Sequence, residues 1–117
     1  MIQGIGLDVI ELSRIQTIIE RQPRFYTRVL TETEQQTFLT LKGSRQVEFL
    51  AGRFAAKEAC AKALGCGIGG ELSFQDIQID KDALGKPILV CAKAERAHVS
   101  ITHSREFAAA QVIIEKA

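Results

Sequence analysis

The chain has 117 residues, 46% of them hydrophobic and 25% charged, a globular balance that excludes a disordered tract and suggests one domain over 1–117. Its net charge of +1 excludes the global basic field of a bulk nucleic-acid binder, so any basic patch must be local. With no Trp and a single Tyr, stacking platforms for single strands are scarce.

The first segment, IQGIGLDVIE (2–11), predicts a core strand. Ile5, Leu7 and Val9 alternate on one face; Gly4, Gly6 and Asp8 fall on the other. LSRIQTIIERQ (12–22) predicts a helix with Leu12, Ile15, Ile18 and Ile19 as its buried stripe and Pro23 beyond its end. Residues 24–30 can add one turn. Thr31 and Glu34 form a capping-box pattern that starts a helix running to about Leu41, and Lys42-Gly43-Ser44 breaks it. Ser44 is the expected cap of a long helix ending at Leu64, with Gly65 as its stop.

After the CGIGG loop (66–70) the period changes to two. SFQDIQID (73–80), PILVCA (87–92), AHVSITH (97–103) and EFAAAQVIIE (106–115) read as strands. The expected fold is α+β: an antiparallel sheet with a long central helix and shorter helices. The last strand is apolar on both faces, with Ala108, Ala110, Val112 and Ile114 in one row and Phe107, Ala109 and Ile113 in the other. So small a chain has few helices to cover both, which suggests self-association. Gln111 lies in the second row and would need a partner there.

Cys60, Cys66 and Cys91 are odd in number and form no CxxC, so no disulfide framework or structural zinc site is expected. Each reads as a small buried hydrophobe in a reducing cytoplasm. No segment approaches the length of a membrane span, and no signal peptide is recognised.

The charges of RFAAKEACAKALG (53–65) need explaining. At about 100° per residue, Val47, Leu50, Phe54 and Glu58 share one stripe. The Glu58 carboxylate is therefore aimed inward, where burial is costly without a partner. Lys62 stands at i+4, and the two could form an ordinary helical ion pair. Arg53 and Lys57 form a separate basic edge. Asp8 shares a strand face with two glycines that leave room for close approach, and it fits poorly as a helix cap. Two such carboxylates suggest an oxygen-ligand site for Mg²⁺, with Lys62 offering a point charge to phosphate.

GIGLDVIELSRI (4–15) and RFAAKEACAKALGCGIG (53–69) resemble the two signature segments of holo-acyl-carrier-protein synthase, the small bacterial class of 4′-phosphopantetheinyl transferases. The likeness continues through LSFQDIQI (72–79), GKP (85–87) and VSITHS (99–104). The resemblance implies transfer of phosphopantetheine from coenzyme A to a serine of apo acyl carrier protein. It implies release of 3′,5′-ADP and a place in fatty acid biosynthesis. It implies Mg²⁺ on Asp8 and Glu58, Lys62 on the coenzyme A phosphates, and a homotrimer with active sites between subunits. Glu58 and Lys62 are the expected catalytic pair. Either a metal-bound water or Glu58 takes the serine proton.

Further candidates follow. Gly65 and the loop after it should let a phosphate chain approach the backbone closely. His103 and Ser104 lie at a strand end, where a turn can present N–H groups to an anion, and the family match suggests coenzyme A contact. Arg45 and Arg53 are candidates for the 3′-phosphate or adenine, or are solvated surface. Lys57 either reaches phosphate or solvates its edge. Arg14, Arg21 and Arg24, with Arg28 beside them, crowd around the first helix, and the family's partner is an acidic helical protein. A salt-sensitive carrier-protein contact is therefore expected there. A non-catalytic adaptor for acidic proteins would explain these arginines but not Asp8 and Glu58. A coenzyme A or nucleotide sensor without transfer activity is the other alternative.

Overall fold

A computed structural model describes all 117 residues. In chain order it has β1 (Ile2–Glu11), α1 (Leu12–Arg21), α2 (Tyr26–Val29), α3 (Glu32–Thr40), α4 (Ser44–Leu64), β2 (Ile77–Lys81), β3 (Pro87–Cys91), β4 (Arg96–His103) and β5 (Phe107–Glu115). A 3-10 turn at Phe74–Asp76 leads into β2. The fold is α+β, as the periodicities predict. The antiparallel strands divide, however, into a three-stranded sheet ordered β1-β5-β4 and a separate β2–β3 hairpin. No helix is long and apolar enough to cross a membrane.

The long helix α4 is the centre of the molecule. Its buried face is made of small residues, Ala51, Ala55, Ala56, Ala59 and Ala63. That face meets β1 at its two glycines. A Cβ on Gly4 would stand 1.9 Å from the carbonyl oxygen of Ala63, and one on Gly6 would stand 1.8 Å from that of Ala59. The strand therefore lies directly against the helix backbone, an approach only glycine permits.

The register follows from this. Gly4, Gly6, Asp8 and Ile10 pair with Ile114, Val112, Ala110 and Ala108 of β5. The β5 members of that row are all buried. The apolar row of Ile5, Leu7 and Val9 takes the opposite face and is 58%, 58% and 56% exposed, so the apolar row of this expected core strand lies outside the core. Phe107 is exposed beside it and Ile113 half-buried. Gln111, paired with Leu7 in the same outer row, is exposed to solvent.

The helix ends are set locally. Glu34 N–H donates to Thr31 Oγ1 at 3.4 Å and Thr31 N–H donates to Glu34 Oε1 at 2.8 Å, the capping box expected for α3. Ser44 is not the cap of α4. Gly43 holds that position at φ 59°, and Ser44 is the first helical residue with no capping bond from its side chain. At the other end Gly65 adopts φ 81°. Its N–H reaches Lys62 O at 3.0 Å and Cys66 N–H reaches Ala61 O at 3.0 Å, the paired bonds of a Schellman turn. Strand β1 runs into α1 without a side-chain cap, and Leu12 N–H is satisfied instead by Glu106 O at 2.8 Å.

Candidate active site

Asp8 leaves the glycine row of β1 where that row meets the last turns of α4. Its Oδ1 lies 3.1 Å from Lys62 Nζ, and the same amine donates to Leu7 O at 3.1 Å. The expected helical pair between Glu58 and Lys62 is thus replaced by a bond across to the strand. Lys62 keeps 56% of its side chain exposed while Asp8 keeps 16%, so the lysine faces a surface from which it can turn to another anion.

Glu58 is half-buried. Burial pushes its carboxyl above the usual carboxylate range, the negative charge of Asp8 pushes it the same way, and Lys62 draws it back. Two carboxylates of like charge therefore lie within electrostatic reach of each other, with the Lys62 amine bonded to Asp8. No third His, Cys, Asp or Glu joins them. A hard divalent cation such as Mg²⁺ fits this donor set, because it binds through one or two carboxylates and completes its shell with substrate phosphate and water.

Glu58 and Lys62 open onto a groove of about 470 Å³ walled by Phe54, Ala61, Gly67, Ile68 and Phe74. The Phe54 and Phe74 rings pack with centroids 5.5 Å apart. Gly65 stands exposed beyond Lys62, and a Cβ there would meet nothing within 4 Å, so its backbone is open to close approach.

Lys57 does neither of the things its sequence position suggests. It is fully buried, and its Nζ donates to Glu34 Oε1 at 2.6 Å, Val29 O at 2.8 Å and Phe74 O at 3.1 Å. Burial lowers its affinity for the proton and Glu34 restores part of it. Arg53 is also buried, with its guanidinium 4.2 Å from the centroid of the Phe49 ring. Its Nε is buried without a hydrogen-bond partner. Burial lowers its pKa, and the charges of Glu34 and Asp80 oppose that shift. The expected solvated basic edge of Arg53 and Lys57 is therefore interior. On the α3 and β2 side of the helix Lys57 pairs with Glu34, and Arg53 feels the charges of Glu34 and Asp80.

Arg45, Arg53 and His103 come together in a second cleft, of about 350 Å³, with Glu48, Lys81 and Pro87. His103 Nδ1 is 3.7 Å from Glu48 Oε2. Ser104 closes the β4–β5 turn. Its N–H donates to Phe107 O at 2.8 Å and its Oγ accepts from Phe107 N–H at 3.3 Å, so this N–H is not free for an anion. The predicted coenzyme A residues thus form two groups. Thirteen helical residues separate Arg45 from Glu58, about 20 Å along α4, and the two point roughly 140° apart around it.

Arg14, Arg21, Arg24 and Arg28 are all exposed, and no acidic group within 4.0 Å pairs with any of them. Three functional features escaped the sequence reading: the Phe54–Phe74 wall, the Glu34 partner of Lys57, and Lys81 beside Arg45. The aromatic wall alone had a local signal, since Phe54 stands one helical turn before Glu58.

Residues 4–113 match the family model of the 4′-phosphopantetheinyl transferase superfamily. Holo-[acyl-carrier-protein] synthase of Bacillus velezensis is 59% identical over 99% of this chain and 98% of its own, and that of Bacillus subtilis is 58% identical over the same shares. A crystal structure of the Bacillus anthracis synthase in complex with CoA (3′,5′-ADP) superimposes with TM-score 0.94 at 53% identity, covering 100% of this chain and 99% of that one. The Helicobacter pylori synthase in complex with coenzyme A gives TM-score 0.85 at 34% identity, covering 95% and 99%. Family model, sequence identity and fold agree across almost the full length, and the chain belongs to the holo-[acyl-carrier-protein] synthase family of 4′-phosphopantetheinyl transferases.

Proposed function

We propose that this transferase moves 4′-phosphopantetheine from coenzyme A to a serine of apo acyl carrier protein in a Mg²⁺-dependent reaction that releases 3′,5′-ADP. The carrying observation is that Lys62, bonded to Asp8 at 3.1 Å, lines an apolar-walled groove together with Glu58. Asp8 and Glu58 would hold Mg²⁺, which when bound neutralises and polarises the diphosphate. Lys62 would leave Asp8 for a diphosphate oxygen and stabilise the charge that develops on the leaving group. The serine Oγ bonds to the phosphorus that bears pantetheine. The bond from that phosphorus to the ADP oxygen breaks, and 3′,5′-ADP departs with the electron pair. The hydroxyl proton passes to a base, for which the Glu58 carboxylate is this chain's candidate. The apolar flank of Phe54, Ile68 and Phe74 suits the pantetheine arm.

The cleft of Arg45, Arg53 and His103 suits the 3′-phosphate and adenine end, with Ser104 at its edge. Its Arg45 lies about 20 Å along α4 from Glu58, so within one chain this cleft and the groove are separate. A homotrimer in which the outer row of Ile5, Leu7, Val9 and Phe107 is covered by a neighbour would bring one subunit's cleft to the next subunit's groove. Arg14, Arg21 and Arg24 would meet the acidic carrier. The three free cysteines accord with a cytoplasmic enzyme serving fatty acid biosynthesis. The whole chain, 1–117, acts as one transferase domain. Mass spectrometry of apo carrier incubated with coenzyme A and Mg²⁺ tests the reading. Gain of one phosphopantetheine mass, abolished by chelation, is expected; a gain that survives chelation removes Mg²⁺ from the mechanism.

A further inference from the structure

Lys57 and Glu58 are neighbours in sequence, yet the fold sends one charge into the core and leaves the other at its border. All three protons of the Lys57 ammonium are engaged, by Glu34, by Val29 O and by Phe74 O. The Glu34 carboxylate is equally committed. Oε1 accepts from Thr31 N–H at 2.8 Å as well as from Lys57, and Oε2 accepts from Ile79 N–H at 2.7 Å. One buried ion pair therefore docks the end of α2, the start of α3, the 3-10 turn and β2 onto a single turn of α4.

Stability alone is a poor reason for such a pair, because apolar groups of similar volume often serve as well. Its geometry gives a better one. Adjacent helical residues differ by about 100° in direction. An amine pinned inward at position 57 fixes the direction of the carboxylate at position 58. The same amine holds the carbonyl of Phe74, whose ring walls the groove beside Glu58 and packs on Phe54. The pair thus sets both the carboxylate and the aromatic wall of its groove.

We propose that Lys57 and Glu34 are positioning residues for Glu58 and the Phe74 wall; this rests on the proposed role of Glu58 at the metal. Lys57→Met and Glu34→Gln are compared with Ile114→Ala, a core truncation on β5 that touches neither residue. Each is assayed at a temperature where circular dichroism shows it folded. Both positioning variants should lose about 10- to 100-fold in kcat, the scale of a misplacement near 1 Å. Their KM for coenzyme A should stay within about threefold, and their Kd for Mn²⁺ alone, read by electron paramagnetic resonance, should rise about tenfold. Ile114→Ala should keep kcat and Mn²⁺ affinity within about twofold despite its lower melting temperature. Folded positioning variants with wild-type kcat and Mn²⁺ affinity would overturn the proposal, as would equal losses in Ile114→Ala. If Lys57→Met does not fold, Glu34→Gln decides alone, since it keeps the shape and the capping acceptor. A wild-type enzyme that fails to transfer would refute the proposed function instead, and the Mn²⁺ titration would still judge the positioning.

Discussion

Gly6→Ala is a one-carbon change that should separate the strand from the helix at the site. The added Cβ would stand 1.8 Å from Ala59 O, 2.8 Å from Ala59 C and 2.9 Å from Ala63 N. All three are backbone atoms of α4 and cannot rotate away. Restoring an ordinary contact near 3.4 Å requires the strand to lift by about 1.5 Å, an overpacking that costs on the order of 1–3 kcal/mol. Asp8 lies two residues on in the same row, so it lifts with the strand and loses its 3.1 Å bond to Lys62. A displacement of that size should lower kcat by about 100-fold. The assays are thermal denaturation followed by circular dichroism and single-turnover labelling of apo carrier followed by mass spectrometry. Gly52→Ala is the control. Its Cβ would meet only the Ile101 Cγ2 methyl, at 3.1 Å, and the helix-propensity gain of up to about 1 kcal/mol offsets the crowding. A Gly6→Ala protein with wild-type melting temperature and wild-type kcat would refute the claim that glycine clearance holds Asp8 in place.

Three other outcomes are expected. Arg14→Glu should raise KM for the acidic carrier and weaken its salt dependence while leaving coenzyme A binding unchanged; steady-state kinetics at two ionic strengths measures this, and an unchanged KM removes Arg14 from the carrier surface. Cys60, its thiol pushed up to about 12 by burial and by the neighbouring Cys91 and Cys66, should resist alkylation at pH 8, where almost none of it is thiolate. Half-buried Cys66 should react first, and peptide mapping after brief iodoacetamide treatment would show the order. Leu7→Asp places a charge in the exposed apolar row and should shift sedimentation from the assembly toward the single chain; unaltered sedimentation would mean that this face is not the interface.

The sequence carried most of the fold because its signals are local. The capping box at Thr31, the stop at Gly65 and the alternation of β5 each appear within a few residues, and each is found in the structure. The charge pattern of α4 was legible only in part. Asp8 and Glu58 stood out because no local role suited them. Lys57 did not resolve, because its partners lie 17 to 28 residues away in the chain. Glu34 was hidden by a local role that it does fill, the capping box, which left no unexplained carboxylate to search for. Ser44 was misread as a cap because serine suits that position chemically, whereas Gly43 reaches a left-handed φ that decides where the helix begins. The outward turn of Ile5, Leu7 and Val9 follows from sterics that periodicity does not report: only the glycine row can approach the helix.

The most direct test of the chemistry assigned to Asp8, Glu58 and Lys62 is one measurement on apo acyl carrier protein. Intact-mass spectrometry would follow its conversion by coenzyme A and Mg²⁺ with the wild-type chain, Asp8→Ala and Glu58→Ala. The wild type should add one phosphopantetheine, and both variants should fold yet lose at least about 100-fold in rate. Full activity in both variants would contradict the two-carboxylate site.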